Sequence, residues 1–183
     1  EFLVYLKKWI VRMYGADATE NDAYVKMINQ KHFGRVTGLI DPKKVVFGGG
    51  WNERTMQIQP TILDDVTAED AVMQEEIFGP VVVVQKFKTV DEVIELANDS
   101  VYGLGGGVFT GSLNTAMKVS RGVQTGRVWV NTYNAIPAGA PFGGYKESGI
   151  GRETHKVMLE HYSQTKNIMI NLKEGTTGLY DVK

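Results

Sequence analysis

The residues best suited to chemistry form the run Glu76-Ile77-Phe78-Gly79-Pro80, just before the apolar stretch Val81 to Phe87. A carboxylate that ends a loop before a strand can accept two hydrogen bonds from a diol, and a ribose offers one. Phe78, two residues on, adds a flat apolar surface. On the residues alone, a solvated Glu and a core Phe are the favoured reading of this spacing. A second candidate is Pro141-Phe142-Gly143-Gly144, a rigid then flexible turn with an aromatic at its centre. Taken alone it says loop with a buried anchor. Beyond it, Lys146 and Glu147 read as exposed. Arg152 and Glu153 fit a surface ion pair at a helix start, an interaction that contributes little.

Other chemistries are missing from the chain. There is no cysteine, so neither a thiolate nucleophile nor a thiolate zinc site is present. No G-x-G-x-x-G occurs; Gly103, Gly105, Gly106 and Gly107 have the wrong spacing and fall in a strand-like segment, which reads as close backbone packing. No phosphate-binding P-loop and no G-x-S-x-G elbow occur. His32, His155 and His161 are too scattered for a metal site. Glu75 and Glu76 are sequence neighbours whose side chains diverge in any regular element, so they form no dyad. No residue is assigned a catalytic role.

The elements that must position these residues alternate in type. Glu1 to Tyr14 reads as an amphipathic helix, with Phe2, Leu6, Trp9, Ile10 and Met13 on one face. Asp22 to Ile40 reads as a second helix capped by Asn21 or Asp22. Lys44 to Phe47 is a short strand. Met56 to Leu63 is extended, and Pro60 makes it an edge or irregular strand. Val81 to Phe87 suits a buried strand. Thr89 and Glu92 have capping-box spacing ahead of a helix. Leu104 to Phe109 is a strand, Ser112 to Arg121 a helix, and Arg127 to Asn131 an alternating strand. This order predicts an α/β fold with a parallel sheet and right-handed crossovers. Asn131 to Gly151 is rich in Gly and Pro and has no period, and a long irregular segment in a compact domain is usually functional or disordered. Thr154 to His161 reads as helical, and Lys166 to Leu172 as a terminal strand in need of a partner edge.

Hydrophobic residues make up 43% and charged residues 22%, which is ordinary globular composition. A chain of this length buries roughly 70% of its unfolded surface, enough for a real core. The net charge of −1, without a basic block, argues against nucleic acid and anionic membranes as partners. No stretch approaches the ~18 apolar residues of a membrane span. The absence of cysteine fits an intracellular, cytoplasmic protein.

Four segments together resemble the NAD(P)-dependent aldehyde dehydrogenase superfamily: EEIFGP (Glu75 to Pro80), YGLGGGVFT (Tyr102 to Thr110), GRVWVNTYN (Gly126 to Asn134) and PFGGYKESGIGRE (Pro141 to Glu153). They match its C-terminal half, in order, over nearly the whole chain. The resemblance implies a catalytic domain over 1–163, with an oligomerisation strand and tail over 164–183. It implies NAD or NADP as cofactor, with Glu76 on the nicotinamide-side ribose and Phe78 on that ribose or the nicotinamide ring. Phe142 would line the aldehyde tunnel, and Ile136 falls where some relatives place another bulky tunnel residue. The tail from Lys166 to Leu172 would join a neighbouring subunit's sheet in a homo-oligomer. Met13 to Val36 and VMQEEIFGP resemble a dimeric branch, whereas the segments from Tyr102 onward resemble a tetrameric one.

The reaction so implied is oxidation of an aldehyde to a carboxylic acid. A cysteine thiolate adds to the carbonyl as a thiohemiacetal, hydride passes to NAD(P)+, and a base-activated water releases the acid. The family's cysteine and general-base glutamate are expected upstream of Glu1, where a helix is already under way. A non-catalytic assembly module, or a CoA-acylating or semialdehyde-specific member of the superfamily, fits the same segments.

Overall fold

Apolar spacing and side-chain caps decide where this chain is regular. In a computed structural model that describes residues 1–172, 174 and 175, it divides into two units, Glu1–Lys86 and Phe87–Lys183.

The first unit opens with helix α1 (Phe2–Tyr14) and a 3-10 turn at Ala18–Glu20. Helix α2 follows (Gln30–Gly38), then strands β1 (Val45–Phe47), β2 (Trp51–Asn52), β3 (Gln57–Ile58) and β4 (Thr61–Leu63), helix α3 (Ala71–Gln74) and strand β5 (Val81–Val83). On α1 the expected face is engaged only in its middle. Leu6 and Ile10 are half-buried, while Phe2, Trp9 and Met13 stay exposed.

Helix α2 is shorter than the sequence predicts. Asn29, not Asn21 or Asp22, caps it by accepting a hydrogen bond from His32 N at 2.9 Å. Asn21 instead closes a local turn on Ala23 N at 2.9 Å, a use of the Asn side chain that competes with helix. Val25 and Ile28, counted toward the helix period, are exposed. Phe33 and Val36 carry the buried face, packed with Leu39, Ile40, Ile58, Leu63, Val72 and Val81 into the core of this unit.

The expectation of a parallel sheet holds only in part. Strand β4 pairs parallel to β5 but antiparallel to β1, and β2 and β3 form an antiparallel hairpin. The segment between β1 and β4 is taken up by the β2–β3 hairpin rather than by a crossover helix, so the chain folds back. Pro60 falls between β3 and β4, and β4 takes the centre of the three-stranded sheet rather than an edge. Proline in front of a strand removes no ladder bond from it. Strand β5 is an edge of this sheet and stops at Val83, with Val82 exposed, so it is not the doubly buried strand that its apolar run suggests.

The second unit is closer to expectation. Thr89 and Glu92 form the capping box of α4 (Val90–Asn98), each side chain bonded to the other's backbone N–H. Strands β6 (Tyr102–Gly103) and β7 (Gly105–Val108) precede helix α5 (Leu113–Gly122), capped by Ser112, and strand β8 (Arg127–Val130). β7, α5 and β8 make a parallel β-α-β unit. The glycines of this segment pack backbone against neighbours: a Cβ on Gly105 would lie 3.0 Å from the Trp129 ring. Strand β9 (Tyr145–Lys146) returns antiparallel to β6, and α6 (Val157–His161) is shorter than its apolar pattern implies. Thr154 and His155 have φ of 57° and 58°, outside the helical region, so the expected helix start is lost. Residues 166–172 form no strand ladder among the described residues; Ile168, Met169, Ile170 and Leu172 are exposed.

Candidate functional site

The candidate loop from Glu75 to Pro80 lies between α3 and β5 and is docked against α2. Arg35 of α2 donates from Nη1 to the carbonyl of Glu76 at 2.9 Å and from Nη2 to the carbonyl of Ile77 at 2.6 Å. The same Nη1 meets Glu75 Oε2 at 3.2 Å. One guanidinium thus engages three successive residues, which its rigid fork of donors permits. The next residue of α2, Val36, is fully buried and fixes the other end of the loop. A Cβ on Gly79 would lie 2.8 Å from Val36 Cγ1, so only glycine lets the loop approach this closely. Pro80 O accepts from Thr61 N at 2.9 Å, which joins the loop's exit to β4.

Between these anchors the loop turns its side chains outward. Phe78 adopts φ 48°, a left-handed conformation that costs a non-glycine residue on the order of 1–3 kcal/mol. Its ring is 80% exposed, which sets aside the core reading of this residue within its unit. Glu76 is exposed, and among the described residues its carboxylate accepts no hydrogen bond and forms no ion pair. A free carboxylate and a free ring, two residues apart on an anchored backbone, suit a ligand with both hydroxyl and flat apolar parts.

The second pair of candidates, Ile136 and Phe142, lies in the other unit on the loop after β8. Arg127 holds this loop by donating to the carbonyls of Ala135 at 3.5 Å, Ala140 at 3.2 Å and Pro141 at 3.1 Å. Its guanidinium also stacks over the Phe142 ring at 4.9 Å. Trp129 Nε1 donates to the Ala135 carbonyl at 2.9 Å. Phe142 and Glu153 exchange backbone hydrogen bonds of 2.9 and 2.7 Å. Phe142 lines an open cleft of about 430 Å³ together with Leu104, Ser148, Arg152, His161 and Tyr162. Ile136 is 47% exposed and is not among the residues of that cleft.

The expected Arg152–Glu153 ion pair does not form. Arg152 Nη1 donates instead to the carbonyls of Gly144 at 2.9 Å and Gly151 at 2.7 Å, since bare carbonyls need a donor more than an exposed carboxylate does. Lys146 and Glu147 are exposed as expected. Lys146 also caps α4: its Nζ donates to the carbonyls of Asn98 at 2.7 Å and Ser100 at 2.8 Å. Arg35 and Arg127 fasten the two candidate loops, and motif reading misses these contacts and that of Lys146. Each acts on backbone carbonyls remote in sequence, and no local spacing announces that.

Comparison with known proteins shows the family. Residues 4–168 match the model of the aldehyde dehydrogenase family. A probable aldehyde dehydrogenase of Streptomyces coelicolor is 46% identical over 174 residues, covering 92% of this chain and 33% of that protein. Aldehyde dehydrogenase B of Escherichia coli is 56% identical over 123 residues, covering 67% of this chain and 24% of that protein. Betaine aldehyde dehydrogenase of Staphylococcus aureus, solved in complex with NAD+, superposes with a TM-score of 0.84 at 33% identity, over 98% of this chain and 38% of that one. The chain therefore spans about a third of the length of curated relatives such as the Streptomyces protein. The family match over most of its length, the relatives' identity and the shared α/β architecture lead to one conclusion: this chain belongs to the aldehyde dehydrogenase family.

Proposed function

We propose that this chain is the C-terminal part of an enzyme that oxidises an aldehyde to a carboxylic acid with NAD(P)+. Its own part is to hold the cofactor's nicotinamide end and to line the aldehyde tunnel. The observation that carries this reading is the outward presentation of Glu76 and Phe78 on a loop whose backbone is anchored to α2. The unengaged carboxylate fits a ribose diol. Ionised acceptors make hydrogen bonds roughly twice as strong as neutral ones, so this contact orients as well as binds. The exposed Phe78 ring fits the apolar side of the ribose or the nicotinamide. The bound cofactor supplies the hydride acceptor. Phe142 and Ile136, on the loop fastened by Arg127, narrow the aldehyde's approach.

The family's nucleophilic cysteine is not among these residues, so the attacking thiolate and its general base belong to the rest of the enzyme. The exposed apolar tail over 166–172 suits a strand that completes a sheet in a neighbouring subunit, giving a homo-oligomer. A cytoplasmic setting fits the cysteine-free composition. The domain limits at 163 and 164 are carried over from the family resemblance.

The test is an assay of the whole enzyme with NAD+ or NADP+ and a panel of aldehydes, without CoA. The expected result is reduced nicotinamide formed one-for-one with carboxylic acid. The 183 residues alone are expected to give no turnover. Turnover by this chain alone, or a whole protein that oxidises no aldehyde or requires CoA, contradicts the proposal.

A further inference from the structure

We infer that Arg35 is a positioning residue for hydride transfer: it fixes the backbone that carries Glu76, and through it the nicotinamide ribose. The inference rests on the proposed role of Glu76. Its own support is geometric. Two donors of one guanidinium bind the carbonyls of Glu76 and Ile77, in the two consecutive peptide units that follow the functional carboxylate. A third contact, to Glu75, restrains the residue before it. Phe78 immediately afterwards sits in a left-handed conformation that the chain does not favour by itself. A loop in that state needs an external clamp, and Arg35 and Val36 supply it from consecutive positions of α2. The contacts Arg35 makes are to the loop residues Glu75, Glu76 and Ile77. Its effect on hydride transfer passes through the position of Glu76.

Lysine cannot replace it fully, because a single ammonium is a point charge without the fork that reaches two carbonyls at once. Loss of the clamp therefore affects the step that depends on ribose orientation more than it affects cofactor capture. Catalytic geometry is sensitive to displacements of about 1 Å, which can cost on the order of a hundredfold in rate.

The experiment is a double-mutant cycle in the whole enzyme, reading the single-turnover rate of hydride transfer and the KM for NAD(P)+. The variants are Arg35→Ala, Glu76→Gln and both together. Arg35→Lys is run in the same cycle, so that the comparison survives a poorly folding alanine variant. Arg35→Ala is expected to slow hydride transfer about tenfold, with a smaller change in KM, and the double variant to be no slower than Glu76→Gln alone. Millimolar guanidinium is expected to restore part of the rate in Arg35→Ala and none in Glu76→Gln. If Glu76→Gln is slow while Arg35→Ala and Arg35→Lys transfer hydride normally, or if the effects multiply, Arg35 does not act through Glu76 and the inference fails alone. If Glu76→Gln itself is unimpaired, the reading of Glu76 fails and takes this inference with it.

Discussion

Tyr24 shows how a single side chain ties the first unit together. Its hydroxyl donates to the Ile58 carbonyl at 2.8 Å, and its ring meets Tyr14 edge-on at a centroid distance of 5.0 Å. Burial pushes its pKa from 10.0 to about 12, with a smaller contribution from Tyr14. A pKa raised in the folded state means that stability is full below pH 10 and is lost as pH rises toward 12. Tyr24→Phe should flatten that alkaline loss while lowering neutral-pH stability by about 1–2 kcal/mol, measured by denaturant melts at several pH values. Asp70 and Asp17 work at the other end of the scale. The Lys44 ammonium, then the Thr67 N–H, hold the Asp70 carboxyl below its usual 3.8. Gln59 and Thr19 do the same for Asp17. Folded-state pKa values that are depressed give stability above pH 3.8 that drains away as pH falls through the lower folded values, so acid melts of Asp70→Asn should lose part of this dependence. At this scale short motifs singled out Glu76, Phe78 and Phe142 as candidates, and the structure leaves Glu76 and Phe78 exposed and sets Phe142 in a cleft. The sequence was silent on Arg35, whose partner Glu76 lies 41 residues away, because only tertiary packing brings them together.

At the scale of elements, two close approaches decide whether the site loops can dock. A Cβ on Gly79 would collide with the buried Val36 side chain, which has no free space to move into. Gly79→Ala should cost about 1–3 kcal/mol and displace the loop, seen as a lower Tm together with slower hydride transfer in the whole enzyme. Gly126, at the entrance to β8, is tighter: a Cβ there would lie 1.6 Å from the Gly143 carbonyl oxygen. Backbone gives way less readily than a side chain. Gly126→Ala should therefore destabilise more, about 3 kcal/mol, and disturb the Phe142 turn, which thermal melts and aldehyde KM values together would reveal. Helices α4 and α5 were legible because their caps, Thr89 with Glu92 and Ser112, are written locally. The span 22–28 was not, since its apolar residues satisfy a helical period by chance while Asn21 turns the chain. The central place of β4 was hidden too, because Pro60 marks a break without saying which side of it becomes the middle of a sheet.

At the scale of the whole molecule, the chain is two units, and each carries one pair of the candidate residues. Large apolar side chains stand exposed in both units, Phe109 and Leu159 among them, and exposed apolar patches of that kind mark contact surfaces. The tail belongs to this scale as well. Removing residues 164–183 from the whole enzyme should reduce its mass in light scattering by dissociating subunits. The family was legible in the sequence because several long segments keep their order. The sheet was legible only in part, because strand direction depends on turns whose geometry a motif does not state. The role on which the rest depends, Glu76 holding the nicotinamide-side ribose, can be checked in a single binding comparison. Affinity for NAD(P)+ is measured against that for an analogue lacking the two hydroxyls of that ribose, in the whole enzyme and in its Glu76→Gln variant. The analogue is expected to bind the unaltered enzyme about tenfold more weakly, and Glu76→Gln is expected no longer to distinguish the two. An equal penalty in both proteins would overturn the role of Glu76.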